Sequence, residues 1–361
     1  MINRKVKIPL YIQIYNVLRE KIMNNEYKNG EFLPSERILS EMFKVERATT
    51  RRALELLVKE NMLMKIPGAG TKVVYDPQVD DPVKPVTTTN SIAFLLPRNT
   101  SDKITQPFIA ELFYNLEKEC KKQNYSLFYT VIQSDEDLPD IILQRNVKGI
   151  IWVSQIEEDF IIKVKQLCIP SVLISNYVNG FTSILIDNIG GSCQAVEYLT
   201  KLGHKRIFLI NGIKEYLNSI ERLEGYRRAL GNAGIEFNER YVRNGDWTFE
   251  SGYAIMKELL EYSPKPSAIY AANDMMAFGA IKAINEHGLQ VPGDISVIGF
   301  DDIEQCKYSM PALTTVRANV DLIANQAIKS LNELTSNFNT PAIKILIPTQ
   351  LIIRESTKQL Y

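Results

Sequence analysis

Residues 45–54 read Val-Glu-Arg-Ala-Thr-Thr-Arg-Arg-Ala-Leu, and this stretch decides how the first part of the chain folds. Thr50 and Leu54 fall on one face of a helix, whereas Arg47 and Arg51 share another face. The pattern predicts a helix over about 46–60 that packs through its apolar face. Its arginines suit the guanine edges of a DNA major groove, but they could equally be ordinary solvent-facing charges.

The residues on either side extend this helix into a small domain. Apolar residues from Leu10 to Ile22 recur at helical spacing, and Ser35 is placed to cap a second helix. Strand-like residues 62–66 and 71–75 flank Pro67-Gly68-Ala69-Gly70, which is typical of a hairpin turn. The prediction is three helices followed by a two-stranded wing.

The charge distribution singles out the same segment. Residues 1–75 contain 14 Lys/Arg and 8 Asp/Glu, whereas the remainder contains 28 and 34, although the whole chain is neutral. A basic segment within a neutral chain points weakly to nucleic acid. The four cysteines are widely spaced, and no apolar run is long enough for a membrane span, so we expect a soluble cytoplasmic protein without a metal site.

The 361 residues predict more than one domain. Prolines and polar residues over 76–90 predict an extended linker without a hinge helix. From residue 91, short apolar strands alternate with amphipathic helices in two series, which predicts parallel sheets in two lobes with a ligand cleft between them. We expect strands near 92–96, 127–132, 149–153, 172–174, 206–210, 268–270 and 296–299, and helices near 107–123, 135–145, 157–167, 190–202, 220–233, 249–262 and 274–287.

The N-terminal motifs, taken in order, resemble the winged-helix domain of the GntR family of bacterial transcription regulators. The resemblance runs from Pro9 to Val73 and rests on the following residues: Pro9-Leu10-Tyr11, Leu33-Pro34-Ser35-Glu36-Arg37, Val45, Arg47, Thr49, Arg51, Ala53-Leu54 and Gly68-Ala69-Gly70-Thr71. It implies DNA contacts at Arg37, Arg47, Thr49, Arg51, Gly68 and Gly70, to which we add Tyr11 and Lys65. Glu46 stands where the family usually has serine, and Pro67 lacks an N–H at a wing position.

The residues from about 91 to 356 resemble the effector domain of lactose- and galactose-type repressors, which is similar to periplasmic sugar-binding proteins. The resemblance rests on Val147–Ile150, Ile186-Asp187-Asn188, Leu202–Ile207, Arg222, Gly225-Tyr226, Gly245-Asp246-Trp247, Ser251-Gly252-Tyr253, Ala272–Ala277, Val291-Pro292, Ile298–Asp302 and Leu313–Val316. A GntR-type head on such a body is similar to the arabinose repressors.

A sugar site needs paired donors and acceptors for hydroxyl groups and a flat apolar wall for the C–H face. Arg222, Asn273 and Asp301 supply the polar groups and Trp247 supplies the wall. Phe108, Asn176 and Asn218 lie on segments that border the same cleft. Asn273 could instead cap the helix that begins at Asp274. We also expect Asp302 to cap the following element, and Asp187 to lie at a crossover between the lobes.

The chain carries no convincing catalytic or cofactor motif. Asp301 and Asp302 are adjacent, so their side chains diverge on a strand, and His204 and His287 fall at helix ends. We therefore expect no enzyme, catalytic residue, metal or cofactor. The interpretation is a sugar-responsive, DNA-binding regulator comprising an α+β winged helix-turn-helix head (1–75), a linker (76–90) and an α/β two-lobed periplasmic-binding-protein-like domain with parallel sheets (91–361).

The expected partners are pseudo-palindromic double-stranded operator DNA, a small sugar and a second copy of the chain in a homodimer. No membrane partner is expected. A sugar sensor with a non-functional DNA-binding head is the alternative, and an enzyme acting on the bound sugar is a weaker one.

Overall fold

The computed structural model describes most of the chain. The described residues are 9–59, 62–66, 70–75, 90–98, 103–133, 142, 147–165, 169–337 and 340–360. The chain divides into two compact units, one built mainly from residues up to 89 and the other mainly from residues 90 onward. No helix within the described ranges is long and apolar enough to cross a membrane.

The first unit has the predicted three helices and wing. Its elements are α1 (Leu10–Met23), α2 (Glu36–Phe43), α3 (Arg47–Lys59), β1 (Leu63–Ile66) and β2 (Gly70–Val73). The two strands pair antiparallel, and Phe32 forms an isolated bridge to Lys72 beside them. Apolar residues from all three helices and the wing form one buried cluster, because no single amphipathic element here could bury its apolar face alone.

Local chemistry fixes the turn between α2 and α3. The Ser35 side chain accepts a hydrogen bond from the backbone N–H of Ile38 at 3.4 Å, as expected for an N-cap. At the other end of α2, Lys44 adopts a left-handed conformation (φ 52°), which ends the helix and turns the chain into α3. The pair α2–α3 is therefore a helix-turn-helix.

The second unit contains two parallel sheets, one in each lobe. Its first stretch forms β3 (Ser91–Pro97), α4 (Pro107–Lys122), β4 (Ser126–Ile132), β5 (Gly149–Val153), α5 (Glu158–Lys165), β6 (Ser171–Ile174) and β7 (Thr182–Ile186). The next forms α6 (Asn188–Lys201), β8 (Ile207–Asn211), α7 (Leu217–Asn232), β9 (Val242–Asn244), α8 (Phe249–Leu260), β10 (Ala268–Ala271), α9 (Asp274–Glu286), β11 (Ser296–Asp301) and β12 (Thr314–Ala318). The last forms α10 (Val320–Ser336), β13 (Lys344–Ile347) and β14 (Thr349–Ile352).

The first lobe is built on a six-stranded sheet of order β13-β7-β6-β5-β3-β4 and the second on a sheet of order β14-β12-β11-β10-β8-β9. All strand pairs in the two sheets are parallel except β12–β14. The chain crosses between lobes three times: from β7 to α6, from β12 to α10, and from β13 to β14. Asp187 lies at the first crossing, where its carboxylate caps α6 by accepting from the Gly190 N–H at 2.9 Å.

Several elements were not anticipated from the sequence. Strands β7, β9, β12, β13 and β14 and the helix α10 were all absent from the predicted series, although the alternating α/β architecture is confirmed. The expected linker over 76–90 and most of the expected helix over 135–145 lie outside the described residues. The helices that were predicted in the second lobe begin within three residues of their expected positions.

Candidate DNA-reading surface and effector cavity

Helix α3 separates its packing face from its charged face as expected. Thr50, Ala53 and Leu54 are buried, whereas Arg47 and Arg51 are exposed on the opposite side. Thr49 is half-buried between the two faces. Because this is the second helix of a helix-turn-helix, its exposed N-terminal turns are the part that would enter a major groove.

Three of the candidate DNA contacts on this unit, Arg37, Arg51 and Lys65, are paired with carboxylates. Glu36 on α2 accepts from Arg51 at 3.0 Å and lies 3.7 Å from the Lys65 ammonium on the wing. On the same helix, Arg37 donates to Glu41 at 3.0 Å. All of these pairs are partly exposed, so each contributes little to stability but restrains the position of a cation.

Two further candidates differ in how they are placed. The Tyr11 ring lies under the Arg52 guanidinium, 4.4 Å from ring centroid to carbon, and packs against the buried cluster of the first unit. Gly70 opens the second wing strand with φ +119°, a conformation that suits glycine. Gly68 lies outside the described residues, as does Pro67.

The second unit contains a cavity between its two lobes, at the carboxyl ends of strands β5, β6, β7 and β11. It contains about 680 Å³ of space between atoms, part of it open to solvent. The lining residues are Gln106, Pro107, Phe108, Ile109, Val153, Ser154, Ser175, Ile186, Tyr216, Asn218, Arg222, Trp247, Asn273, Met275, Asp301 and Ile303.

Six of the seven residues that the sequence proposed for effector binding line this cavity, from Phe108 on one lobe to Asp301 on the other. Asn176 does not. Its carboxamide donates to the Ile156 carbonyl at 3.2 Å and accepts from the Tyr177 N–H at 2.8 Å, so it stabilises the turn after β6. The neighbouring residue Ser175 lines the cavity instead.

An arginine–aspartate pair forms the polar floor of the cavity. Arg222 lies 3.6 Å from Asp301, and their side chains are 4% and 10% exposed. The guanidinium also donates to Asn188 at 2.9 Å and to the Ala272 carbonyl, and its Cζ atom lies 3.7 Å from the centroid of the Phe300 ring. Burial raises the pKa of Asp301, and Arg222 opposes that rise.

Trp247 and Asn273 form the wall beside this pair. The Asn273 amide donates to the Trp247 carbonyl at 2.9 Å, while its oxygen accepts from the Met276 N–H at 2.9 Å as the N-cap of α9. Asn273 therefore caps the helix and lines the cavity at the same time. The Trp247 ring is 5.4 Å from the Arg222 guanidinium, which places an aromatic face next to a charged donor.

Strained backbone is concentrated around this cavity. Four non-glycine lining residues have positive φ angles: Ser154 (69°), Ser175 (57°), Trp247 (72°) and Asp301 (114°). Such conformations cost free energy and cluster at functional sites. The sequence reasoning missed Ser154 and Ser175, although each directly follows a buried strand whose carboxyl end was expected to border the cleft.

The acidic residues adjacent to the cavity have structural roles. Asp274 is fully buried, accepts from the Thr315 hydroxyl at 2.5 Å and from the Ile303 N–H at 3.0 Å, and burial raises its pKa to about 7. The expectation that Asp302 caps the next element is wrong. Its carboxylate instead pairs with Arg317 on β12 and with Arg354, which follows β14, at 2.7 and 2.6 Å.

Both histidines form hydrogen bonds to protein groups that surround them in the fold. His204 bridges the Ser267 hydroxyl and the Lys358 carbonyl, both at 3.1 Å, and burial lowers its pKa. His287 donates from Nδ1 to the Ala283 carbonyl at 2.9 Å where α9 ends. Within the described ranges, no group of three or more His, Cys, Asp or Glu residues is arranged to hold a metal ion.

Comparison with known proteins matches both units. Residues 10–73 fit the family described as bacterial regulatory proteins, gntR family, and residues 196–357 fit the periplasmic binding protein-like domain. A probable HTH-type transcriptional repressor, ExuR of Bacillus subtilis, is 32% identical over 330 residues, which are 89% of this chain and 98% of ExuR. The repressor PurR of Haemophilus influenzae is 32% identical over 76% of this chain and 83% of PurR.

Solved structures agree with these matches. A LacI family regulator from Enterococcus faecium with bound ribose is 27% identical, with a TM-score of 0.68 over 75% of this chain and all of that one. A complex of the regulator CelR with cellobiose covers 90% of this chain and all of that one, with a TM-score of 0.67. At 23% identity, the CelR complex supports the fold alone.

Three findings indicate the same protein family. They are the helix-turn-helix with its wing, the two parallel-sheet lobes and the near full-length similarity to a repressor. The chain belongs to the HTH-type transcription regulators that join a GntR-type DNA-binding region to a LacI-type, periplasmic-binding-protein-like effector domain, and it is a regulator rather than an enzyme.

Proposed function

We propose that this regulator is a cytoplasmic repressor of sugar-utilisation genes whose affinity for operator DNA is set by a small sugar in the interlobe cavity. The sugar would be an arabinose-like pentose or another monosaccharide. The observation that carries this proposal is the cavity floor, where Arg222 and Asp301 lie beside the Trp247 ring. Such a floor offers donors, an acceptor and an aromatic face together, which is what a polyol requires.

The proposed mechanism links cavity closure to DNA binding. Both lobes contribute lining residues, so a ligand that bridges them favours one interlobe arrangement over another. In a homodimer, that arrangement would set the spacing of two DNA-reading units on a pseudo-palindromic operator. Couplings of this kind are worth about 1–3 kcal/mol, or about 5- to 150-fold in operator affinity.

A structural neighbour supports the ligand class, because the LacI family regulator at 27% identity holds ribose. We propose DNA contacts at Arg37, Arg47, Thr49, Arg51, Lys65, Tyr11 and the wing glycines, and effector contacts at Phe108, Asn218, Arg222, Trp247, Asn273 and Asp301. The domain limits are proposed at 1–75, 76–90 and 91–361.

The experiment is a monosaccharide screen by thermal shift followed by mobility shift on a DNA site selected from random sequences. A ligand that binds the native state raises the melting temperature by mass action, and it should change DNA affinity in the wild type. Arg222→Ala should lose this response and keep DNA binding, whereas Arg222→Lys, which preserves the charge, should retain part of it.

Two outcomes would contradict the proposal. If Arg222→Ala lost DNA binding while retaining the ligand, the roles assigned to the two units would be reversed. If no salt-sensitive DNA binding were found with any sequence, the alternative of a sugar sensor with a non-functional head would replace it.

A further inference from the structure

The effector cavity has polar side chains but few charged ones. Among its described lining residues, only Arg222 and Asp301 carry formal charges, and they pair with each other at 3.6 Å. The other polar lining groups are hydroxyls, carboxamides and the indole of Trp247, all uncharged. The pair therefore contributes no net charge when Asp301 is ionised.

The single cation is largely committed to protein partners. Arg222 Nε donates to Asn188 at 2.9 Å, Nη1 donates to the Ala272 carbonyl, and Nη2 faces Asp301. A carboxylate or phosphate is best bound by the two parallel N–H groups on one edge of a guanidinium. Here the single Nε N–H and one of the two Nη1 N–H groups already donate to protein oxygens, and Nη2 faces the Asp301 carboxylate.

The surroundings of the pair are acidic. Burial raises the pKa of Asp301, Arg222 opposes this, and the carboxylates of Asp274 and Glu111 raise it further through space. On the other side, Glu221 accepts from the same Asn188 that holds Arg222, at 2.8 Å. An anionic ligand at Arg222 would therefore also approach Asp301, and the ionised form of that carboxylate would repel it.

We infer that the cavity selects an uncharged, polyhydroxylated ligand and rejects sugars that carry a carboxylate or a phosphate, with Asp301 as the residue that enforces this selection. The inference rests on the proposed sugar response and narrows its ligand class. A neutral hydroxyl can donate to Asp301 and accept from Arg222 without adding charge. An acidic sugar can do so only by displacing Asp301 or by bringing a proton with it.

The first lobe supplies uncharged hydroxyl groups to the same cavity. The Ser175 hydroxyl is buried at the cavity lining and has no hydrogen-bond partner within the described part of the chain. A buried hydroxyl without a partner is costly, and rotation about a single side-chain bond would direct it to a ligand hydroxyl. Ser154, which follows the adjacent strand, adds a second neutral hydroxyl.

The test compares matched neutral and anionic sugars on the full-length protein by calorimetry at about pH 8. The pairs are galactose with galacturonate and ribose with ribose 5-phosphate, alongside arabinose. For any pair that binds, we expect the neutral member to bind at least about tenfold more tightly. In Asp301→Asn this ratio should fall by about tenfold or invert, because the change removes a negative charge and leaves the Arg222 guanidinium without its carboxylate partner.

The control is Glu304→Gln, which removes the same charge from an exposed turn three residues away and should leave the ratio unchanged. If an anionic sugar binds the wild type as tightly as its neutral partner, or if Asp301→Asn leaves the ratio unaltered, the charge selection is wrong while the sugar response stands. If neither neutral nor anionic sugars bind, the proposed sugar response fails and this inference fails with it.

Discussion

Glu36 on α2 holds Arg51 on α3 through a 3.0 Å hydrogen bond between carboxylate and guanidinium. The same carboxylate lies 3.7 Å from Lys65 on the wing. One acidic side chain therefore restrains two candidate DNA-binding cations that come from different elements. Because a carboxylate also repels phosphate, Glu36 opposes indiscriminate binding while it orients the groups that would read a specific site.

Replacement of Glu36 by glutamine should loosen this restraint. We expect tighter binding to random-sequence DNA and poorer discrimination, because one negative charge is lost and two cations become available to phosphates. The slope of log affinity against log salt should steepen by about one. Glu26→Gln, in the same unit and paired with Lys21, which is not a candidate DNA contact, is the matched control for charge. Weaker binding to every DNA sequence in Glu36→Gln would contradict this role.

Arg47→Ala should reduce specific binding far more than non-specific binding. Loss of a bidentate arginine–guanine contact costs about 1–3 kcal/mol, or about 5- to 150-fold, at the cognate site. The measurement is a competition between a selected site and random DNA. Arg52→Ala makes the same charge change on the same helix, but Arg52 stacks on Tyr11, so it should affect both DNAs alike. Equal losses of specificity in both variants would argue against base reading by Arg47.

Asp274 should make the second unit less stable as pH rises. Its pKa is about 7 in the folded protein and about 3.9 when unfolded, so the native state binds more protons over that interval. The unfolding free energy therefore falls between about pH 4 and pH 7, by at most about 1.4 kcal/mol per pH unit from this group. Urea unfolding from pH 4.5 to 7.5 should show a shallower fall in Asp274→Asn.

Asp301 also has a raised pKa and contributes to the same trend, so the fall should not vanish in the Asp274 variant. Identical pH dependence in the wild type and Asp274→Asn would show that Asp274 does not titrate as its burial implies.

Gly212→Ala should displace the aromatic wall of the cavity. A methyl group at this position would overlap the six-membered ring of Trp247, so the ring must move. Overpacking of this kind costs about 1–3 kcal/mol, and we expect sugar affinity to fall by about tenfold with DNA affinity unchanged. Gly231→Ala, on α7 with open space around it, is the control. Unaltered sugar binding and tryptophan emission in Gly212→Ala would remove Trp247 from the ligand site.

The sequence was informative where periodicity and local chemistry act alone. The α3 pattern gave both the packing face of Thr50 and Leu54 and the exposed face of Arg47 and Arg51. Helix α10 was missed although its buried side chains repeat at helical spacing. The strands β13 and β14 were missed because they are short and only partly buried, and their pairing partners lie 161 and 31 to 37 residues away in the sequence.

The cavity residues also divide into those that the sequence predicted and those that it did not. Arg222, Trp247 and Asp301 were singled out by residue type and resemblance, and the fold brings them together. Ser175 was passed over for Asn176 because a strand end shows which residues border a cleft, but not which of two neighbours faces it. That choice depends on the left-handed backbone conformation at Ser175, and a serine does not predict this conformation.

The three chain crossings mean that neither lobe corresponds to one continuous segment of the gene. The first sheet takes β13 from residues beyond 343, and the second takes β14 only two residues after β13 ends. A truncation after residue 340 would therefore remove an edge strand from both sheets at once. Exchange of one lobe between related regulators requires recombination at all three crossings, so these proteins should diversify their ligands by substitution within a shared body.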